Sequence, residues 1–153
     1  MVTMRLEMMS LIVLLVCVNY CRACDSGQIE DKGFLGLSWF SSCEDCTVGT
    51  FQSESECKEC EAGYYTNLTR QTKCSTCPRG TFSAHPGSVE CTECPAGEYS
   101  SVTAASSCIP CSPGFYTRTP GNTECAQCPG GSYSSEEGSR KCEVCEDRMT
   151  SPA

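Results

Sequence analysis

Residues 74–100 read C-S-T-C-P-R-G-T-F-S-A-H-P-G-S-V-E-C-T-E-C-P-A-G-E-Y-S, and this stretch decides the fold. A C-x-x-C pair opens it and returns 17 residues later. A glycine follows the second cysteine of each pair by three residues, and an aromatic residue follows it by five. A fixed period carried by several residue types predicts a tandem array of small units.

The same pattern extends in both directions from this stretch. Seven C-x-x-C pairs occur, at residues 43/46, 57/60, 74/77, 91/94, 108/111, 125/128 and 142/145. The interval between pairs is 17 residues throughout, except that the first is three residues shorter. The repeated glycines are Gly49, Gly63, Gly80, Gly97, Gly114 and Gly131, and the repeated aromatics are Phe51, Tyr65, Phe82, Tyr99, Tyr116 and Tyr133. After Cys145 the pattern fails, because Arg148 and Thr150 replace the glycine and the aromatic.

Turn residues recur inside each unit. Pro86-Gly87 and Pro120-Gly121 occupy the same register, and such pairs favour tight turns. The aromatic is the one repeated apolar side chain, so we expect it to lie against a disulfide and the next unit. The predicted fold is small and disulfide-rich: an elongated tandem array of short β-ribbon and turn modules with little helix.

The N-terminus predicts a secreted protein. Met8–Val18 is an apolar run of 11 residues, preceded by Arg5 and followed by the small residues around Ala23. This layout is typical of a signal peptide, with cleavage after Ala23. The run is shorter than the roughly 20 residues that a membrane span needs.

Composition supports a covalently stabilised extracellular chain. Residues 24–153 hold 15 cysteines, 9 basic and 18 acidic side chains, and very few leucines and isoleucines. Because apolar burial is small, disulfides must replace a core. The acidic surface argues against nucleic acid as a partner, and no further apolar stretch predicts membrane insertion or a lipid anchor.

The repeat resembles the ephrin-receptor-like cysteine-rich repeat, which is similar to the first half-module of tumour-necrosis-factor-receptor cysteine-rich domains. The closest matches are Cys77–Ser83 (C-P-R-G-T-F-S) and Cys94–Ser100 (C-P-A-G-E-Y-S). The resemblance covers residues 43–145 and implies an extended extracellular ectodomain used for spacing and protein contacts. Together with the N-terminal pattern, it predicts four parts: a signal peptide at 1–23, an N-terminal cap segment at 24–42, the repeats at 43–145, and an unstructured tail or truncation point at 146–153.

Two disulfide schemes stay open at this stage. The simpler scheme joins the second cysteine of each pair to the first of the next, and leaves Cys145 as a free thiol. Its bridges are Cys24–Cys43, Cys46–Cys57, Cys60–Cys74, Cys77–Cys91, Cys94–Cys108, Cys111–Cys125 and Cys128–Cys142. The competing scheme interlocks the bridges, first to third and second to fourth, as in epidermal-growth-factor-like modules. Zinc is a third alternative, since C-x2-C-x13-C-x2-C is near zinc-ribbon spacing, although seven pairs cannot be grouped two at a time.

No residue pattern predicts catalysis, a cofactor or a metal site. Nucleophilic catalysis needs a base near the nucleophile, and the single histidine, His85, falls in a predicted solvent-exposed turn. Trp39-Phe40 fits an end cap of the array better than a binding hot spot. Asn67-Leu68-Thr69 is an N-glycosylation acceptor, expected in a surface turn.

The leading functional hypothesis is a non-catalytic binding or spacer ectodomain with an extracellular protein partner. Candidate contact residues are those that differ between units, namely Tyr64, Arg79, His85, Phe115 and Arg118. The alternative is a structural coat or matrix protein, cross-linked into disulfide-linked oligomers through Cys145.

Overall fold

The computed structural model describes residues 24–31 and 42–145. The predicted signal peptide, Trp39-Phe40 and the predicted tail at 146–153 lie outside the described residues. Within the described part of the chain there is no helix, and every strand belongs to a two-stranded antiparallel hairpin. The fold is therefore a tandem series of small disulfide-rich β-hairpin modules, which confirms the predicted fold class.

Seven hairpins follow one another along the chain, each pairing consecutive strands. They are β1 (Gln28–Asp31) with β2 (Ser42–Asp45), β3 (Thr50–Ser53) with β4 (Glu56–Glu59), β5 (Tyr64–Tyr65) with β6 (Ser75–Thr76), β7 (Thr81–Phe82) with β8 (Thr92–Glu93), β9 (Glu98–Tyr99) with β10 (Ile109–Pro110), β11 (Phe115–Tyr116) with β12 (Ala126–Gln127), and β13 (Ser132–Tyr133) with β14 (Glu143–Val144). From the β5–β6 hairpin onward, the second strand of each hairpin consists of the two residues between the cysteines of a C-x-x-C pair.

A turn built on the repeated glycine leads into each hairpin. The amide of Thr81 donates to the carbonyl of Pro78 at 3.1 Å, and Gly80 between them has φ +80°. A positive φ at this third position is what a type II turn requires, so glycine is the residue that fits. We call the span that starts at the second cysteine of a pair a unit and name it by that cysteine, here unit Cys77.

Neighbouring units are joined by three backbone hydrogen bonds that recur along the array. Between units Cys77 and Cys94, Gly80 N donates to Ser100 O at 2.9 Å, Ser83 N to Ala105 O at 3.1 Å, and Ala104 N to Cys77 O at 2.8 Å. The same three bonds occur at the other junctions from unit Cys46 to unit Cys128. The loops therefore satisfy their backbone groups against the next unit, as buried backbone must.

Units also contact the unit that lies two positions further along the chain. A Cβ placed on Gly80 would lie 2.3 Å from the carbonyl oxygen of Gly121, and one on Gly49 would lie 2.2 Å from that of Gly87. Each of these glycines therefore faces the turn of the unit two positions further along. Their close approach is a second reason, besides the turn, why this position holds glycine.

The array begins earlier than its predicted start at residue 43. Gly27 follows Cys24 by three residues, has φ +84°, and faces the carbonyl of Arg70 as the later glycines face theirs. Cys46 N donates to Gly27 O at 2.9 Å, the bond that closes every later hairpin. The described parts of 24–45 thus form a unit, in which Ile29 takes the aromatic position.

Unit Cys46 is the shortened one, and a side chain compensates for the missing turn. The β3–β4 hairpin closes tightly at Glu54, whose φ is +58°. At its junction with the first unit, the Gln52 amide group accepts from Gly27 N at 2.6 Å and donates to Gln28 O at 2.7 Å. Gln52 stands where the later units carry serine or threonine, and its amide makes the two contacts that the hydroxyls of Thr117 and Ser134 make at their junctions.

In units Cys60, Cys77, Cys94 and Cys111 the buried centre is a half-cystine and a hydroxyl rather than a hydrocarbon core. Cys46, Cys60, Cys77, Cys94 and Cys111 have no exposed surface. The buried polar side chains are Thr66, Ser83, Ser100, Thr117 and Ser134, one in each unit from Cys60 to Cys128. The repeated aromatics are only half-buried, and Tyr133 is 46% exposed. Burial is thus centred on the sulfur atoms, more than on the aromatic rings that the sequence suggested.

Candidate interaction surface

The hairpin face is an exposed surface whose residues differ between units. Both residues between the cysteines of each pair are exposed in every unit from β6 to β14. Their strand partners are the aromatic and the residue before it, for example Tyr99 opposite Ile109 and Glu98 opposite Pro110. Because the cysteines are buried while these positions face solvent, their side chains are free to vary without affecting the fold.

A depression of about 300 Å³ lies on this face between units Cys46 and Cys60. Phe51 and Tyr64 supply apolar surface, and Lys58 and Lys73 supply positive charge; Glu59, Glu61 and Cys74 complete the lining. Lys58 Nζ lies 3.3 Å from the Glu56 carboxylate, with both side chains well exposed. An exposed pair of this kind contributes little to stability, so Lys58 can be redirected toward a partner at low cost.

A second depression, of about 310 Å³, surrounds Tyr116 and Arg118 in unit Cys111. The Arg118 guanidinium carbon lies 5.7 Å from the centre of the Tyr116 ring, within the range of a cation–π contact. Thr117, Thr119, Asn122, Glu124 and Ala126 form the rest of its wall. This surface is polar, and it offers both a cation and hydrogen-bonding groups.

The five predicted contact residues do not form one cluster. Tyr64 lines the first depression and Arg118 the second, while Arg79, His85 and Phe115 line neither. Arg79 and His85 are exposed, and Phe115 is 39% exposed. Tyr64 is half-buried and Arg118 is exposed, and the structure separates the five among units Cys60, Cys77 and Cys111.

Sequence reasoning missed Phe51, Lys58 and Lys73 in the first depression. Phe51 was assigned only to the repeated aromatic position. A signal for Lys58 was present, because its equivalents in the next two units are Ser75 and Thr92. The meeting of these residues across two units could not be read from one unit alone.

The glycosylation acceptor lies in an exposed turn. Asn67, Leu68 and Thr69 are all exposed, and Leu68 is 60% exposed. The Thr66 hydroxyl accepts from Leu68 N at 3.4 Å, and Gln71 Nε2 donates to Thr69 O at 3.0 Å. These bonds shape the turn and leave the Asn67 side chain facing solvent.

Fourteen cysteines form seven consecutive disulfides in the described residues. The bonded pairs are Cys24–Cys43, Cys46–Cys57, Cys60–Cys74, Cys77–Cys91, Cys94–Cys108, Cys111–Cys125 and Cys128–Cys142. These pairs coincide with the sequential scheme. Cys145 is unpaired and exposed. Across residues 24–31 and 42–145 no group of histidine, cysteine and acidic side chains is arranged to hold a metal ion.

Acidic side chains dominate the charge, and one arginine organises the N-terminal end. Arg70 lies 3.4 Å from the Asp25 carboxylate and 3.6 Å from that of Asp45. Arg70 stands where units Cys77 and Cys111 carry the turn glycine, and it retains a positive φ of 60°. Its ion pairs bridge unit Cys60 to the first unit, two positions earlier.

A family model described as tyrosine-protein kinase ephrin type A/B receptor-like matches residues 52–94 and 80–124. The matched residues, 52–124, are similar to the ephrin-receptor-like repeat and cover just under half of the chain. Ephrin-receptor-like repeats are a non-catalytic type of module found in extracellular ectodomains. The described units on either side of the matched segment repeat its hairpin, its disulfide and its glycine turn.

No curated protein matched the chain. In the described part of the chain, no helix has the length and apolar character needed to cross a bilayer.

Proposed function

We propose that this chain is a secreted, non-catalytic ectodomain whose ephrin-receptor-like repeats space and present a protein-binding surface. The observation that carries the proposal is that the described residues combine seven sequential disulfides with a backbone ladder between units and have no hydrocarbon core. Such a fold depends on an oxidising compartment, because its units lose their stabilising element when the cysteines are reduced.

Secretion is tested by expressing the full chain in cells with a secretory pathway. We expect medium to contain a protein that begins at Cys24, has 14 oxidised cysteines, and carries a glycan on Asn67. Intact-mass measurement before and after glycosidase treatment checks all three, and Asn67→Gln is the matched control for the glycan. Uncleaved leader, reduced cysteines throughout or stoichiometric zinc would contradict the proposal.

The binding surface is expected at the first depression. It combines two aromatic side chains with two lysines, and aromatic residues are enriched among residues that dominate binding energy. Tyr64 is both a predicted contact residue and part of the lining of this depression. The remaining lining includes Glu59 and Glu61, so the surface suits a partner with apolar and mixed-charge side chains.

Binding is tested by capture of cell-surface proteins with the secreted chain. We expect Tyr64→Ala and Lys73→Ala to lose a partner that the wild type retains. Ser132→Ala is the matched control, because Ser132 occupies the same position as Tyr64 in another hairpin. Equal retention by all variants would exclude the first depression as the contact surface.

A second candidate function is a cross-linked coat or matrix protein. The observation that favours it is the exposed, unpaired Cys145. Non-reducing electrophoresis of secreted protein separates the two functions, since a matrix protein gives disulfide-linked oligomers that Cys145→Ser abolishes. Monomer in both cases would exclude cross-linking through this residue.

A further inference from the structure

We propose that the array is a force-bearing tether whose maximum length is limited by its own disulfides. The inference deepens the proposed spacer function and rests on the disulfide connectivity. A spacer between two attached surfaces carries tension, and an ordinary β-domain lengthens many-fold when tension unfolds it. This array has a covalent path that prevents such lengthening.

The covalent path follows from the order of the disulfides. Each bridge closes one loop, and no bridge overlaps the next: Cys77–Cys91 ends before Cys94–Cys108 begins. Consecutive loops are joined by one C-x-x-C link, such as the link that contains β8. A tensile load applied at the two ends therefore passes alternately through a disulfide and a link, and it never passes through a loop.

The limit can be estimated from the bonded distances. The seven cystines have Cα–Cα distances of 5.5–5.8 Å. Each of the seven links contains three peptide steps, and an extended chain spans at most about 3.3–3.6 Å per step. The path from Cys24 to Cys145 therefore cannot exceed about 115 Å, whereas the reduced chain between the same residues could reach about 420 Å.

Most of the residues proposed to bind lie in the loops that the load bypasses. Tyr64 and Lys73 lie within the Cys60–Cys74 loop, and Phe115 and Arg118 lie within the Cys111–Cys125 loop, whereas Lys58 lies on the Cys57–Cys60 link. The hydrogen bonds between units can break under load, but each loop stays closed by its cystine. A closed loop of this size keeps its side chains near one another while the array is stretched.

Single-molecule force spectroscopy of the full secreted chain, with handles at residue 24 and at the C-terminus, tests the limit. We expect the oxidised chain to reach a plateau near 115 Å for the span 24–145, and to extend to about 420 Å after a reductant is added. Extension of the oxidised chain well beyond 115 Å would overturn the proposal.

Two variants make the test specific. The double variant Cys94→Ser/Cys108→Ser opens one loop with a sequence separation of 14, so the limit should rise by about 45 Å. Gly80→Ala, which disturbs contacts between units but no disulfide, should lower the force of the first transitions and leave the limit unchanged. An unchanged limit in the double variant, or a raised limit in Gly80→Ala, would contradict the proposed path.

The outcome is independent of secretion and of partner binding, which are measured separately. An oxidised chain that holds its limit but retains no partner would reject the binding surface and leave the tether intact. A chain that binds through Tyr64 but extends past the limit would reject the tether and leave the binding surface intact.

Discussion

Gly80 has two requirements that only glycine meets at once. Its φ of +80° lies in the left-handed region, and the space where a Cβ would stand is taken by the Gly121 carbonyl oxygen at 2.3 Å. Gly131 has the same φ, +79°, but nothing lies within 4 Å of its Cβ position. A side chain at Gly131 would therefore have only a conformational cost, whereas a side chain at Gly80 would have that cost and a steric cost as well.

Alanine substitution at the two positions should differ in effect. We expect Gly131→Ala to cost about 1–2 kcal/mol of unfolding free energy, because an alanine must adopt the left-handed conformation. Gly80→Ala should cost about 3–5 kcal/mol, since the backbone two units away must also move. Guanidinium denaturation of the oxidised protein measures both values.

Gly130→Ala is the reference for this comparison. Gly130 is exposed, lacks a positive φ, and has nothing within 4 Å of its Cβ position, so its substitution should change stability by less than about 0.5 kcal/mol. Equal costs at Gly80 and Gly131 would refute the contact between units two positions apart.

Thr117 shows how a buried hydroxyl serves a junction between units. Its Oγ1 accepts from Gly97 N at 2.7 Å, and the Thr117 carbonyl oxygen accepts from the same amide at 3.1 Å. We expect Thr117→Val to cost about 1 kcal/mol, because the amide keeps only its weaker acceptor. Thr117→Ser should cost less than about 0.5 kcal/mol, since serine fills this position in units Cys77, Cys94 and Cys128. A valine variant as stable as the serine variant, by the same denaturation measurement, would show that the hydroxyl is dispensable.

At the scale of the element, each hairpin is too short to be stable by itself. Five of the seven hairpins have strands of only two residues, and isolated two-stranded ribbons are marginal in water. The closing disulfide and the three bonds to the next unit supply what the strands lack. A unit is therefore a cooperative piece of the array, bounded by its own bridge.

Removing one disulfide should destabilise the unit that it closes, while the neighbouring units keep their own disulfides. In the chain-entropy description, a loop of this size accounts for about 3 kcal/mol. For Cys94→Ser/Cys108→Ser, we expect new proteolytic cleavage within residues 95–107, with the fragments on both sides still protected. Limited proteolysis followed by mass spectrometry checks this, and Cys145→Ser is the control that removes a thiol but no bridge. Cleavage spread equally over two adjacent loops would instead indicate interlocked bridges.

At the scale of the whole molecule, covalent bonds take the place of apolar burial. Ala105 and the half-cystines make up the buried hydrophobic set of the described residues. Leu68, Val102 and Ile109 are about half exposed or more, so they add little burial. The stability of the array should consequently depend on its oxidation state more than on any single apolar side chain.

Full reduction should unfold the array without added denaturant. The reduced chain lacks enough apolar burial to offset the entropy of ordering its backbone. We expect collapse of NMR amide dispersion when a strong reductant is added to native protein, with its return on reoxidation. Val144→Ala, at a side chain 77% exposed, is a control that should leave the oxidised spectrum dispersed. Persistent dispersion after complete reduction would mean that packing alone maintains the fold.

The one-dimensional pattern of cysteine, glycine and aromatic residues was sufficient to predict the hairpin modules, because each unit is closed locally by its own chain. It did not reveal that Cys24-x-x-Gly27 starts a further unit, since Ile29 stands where an aromatic was expected. It also did not locate the first depression, which requires the spatial meeting of Phe51 from one unit with Tyr64 and Lys73 from the next.

Spacing and residue type alone therefore determined the repeat length, the turn positions and, for residues 24–31 and 42–145, the absence of a hydrocarbon core. Only the tertiary structure decided which units touch, and which exposed side chains gather into a surface. The physical reason is that contacts between Gly80 and Gly121 depend on how each unit is stacked and turned relative to the last. That orientation is set by backbone hydrogen bonds between units, and backbone groups are the same in every residue except proline.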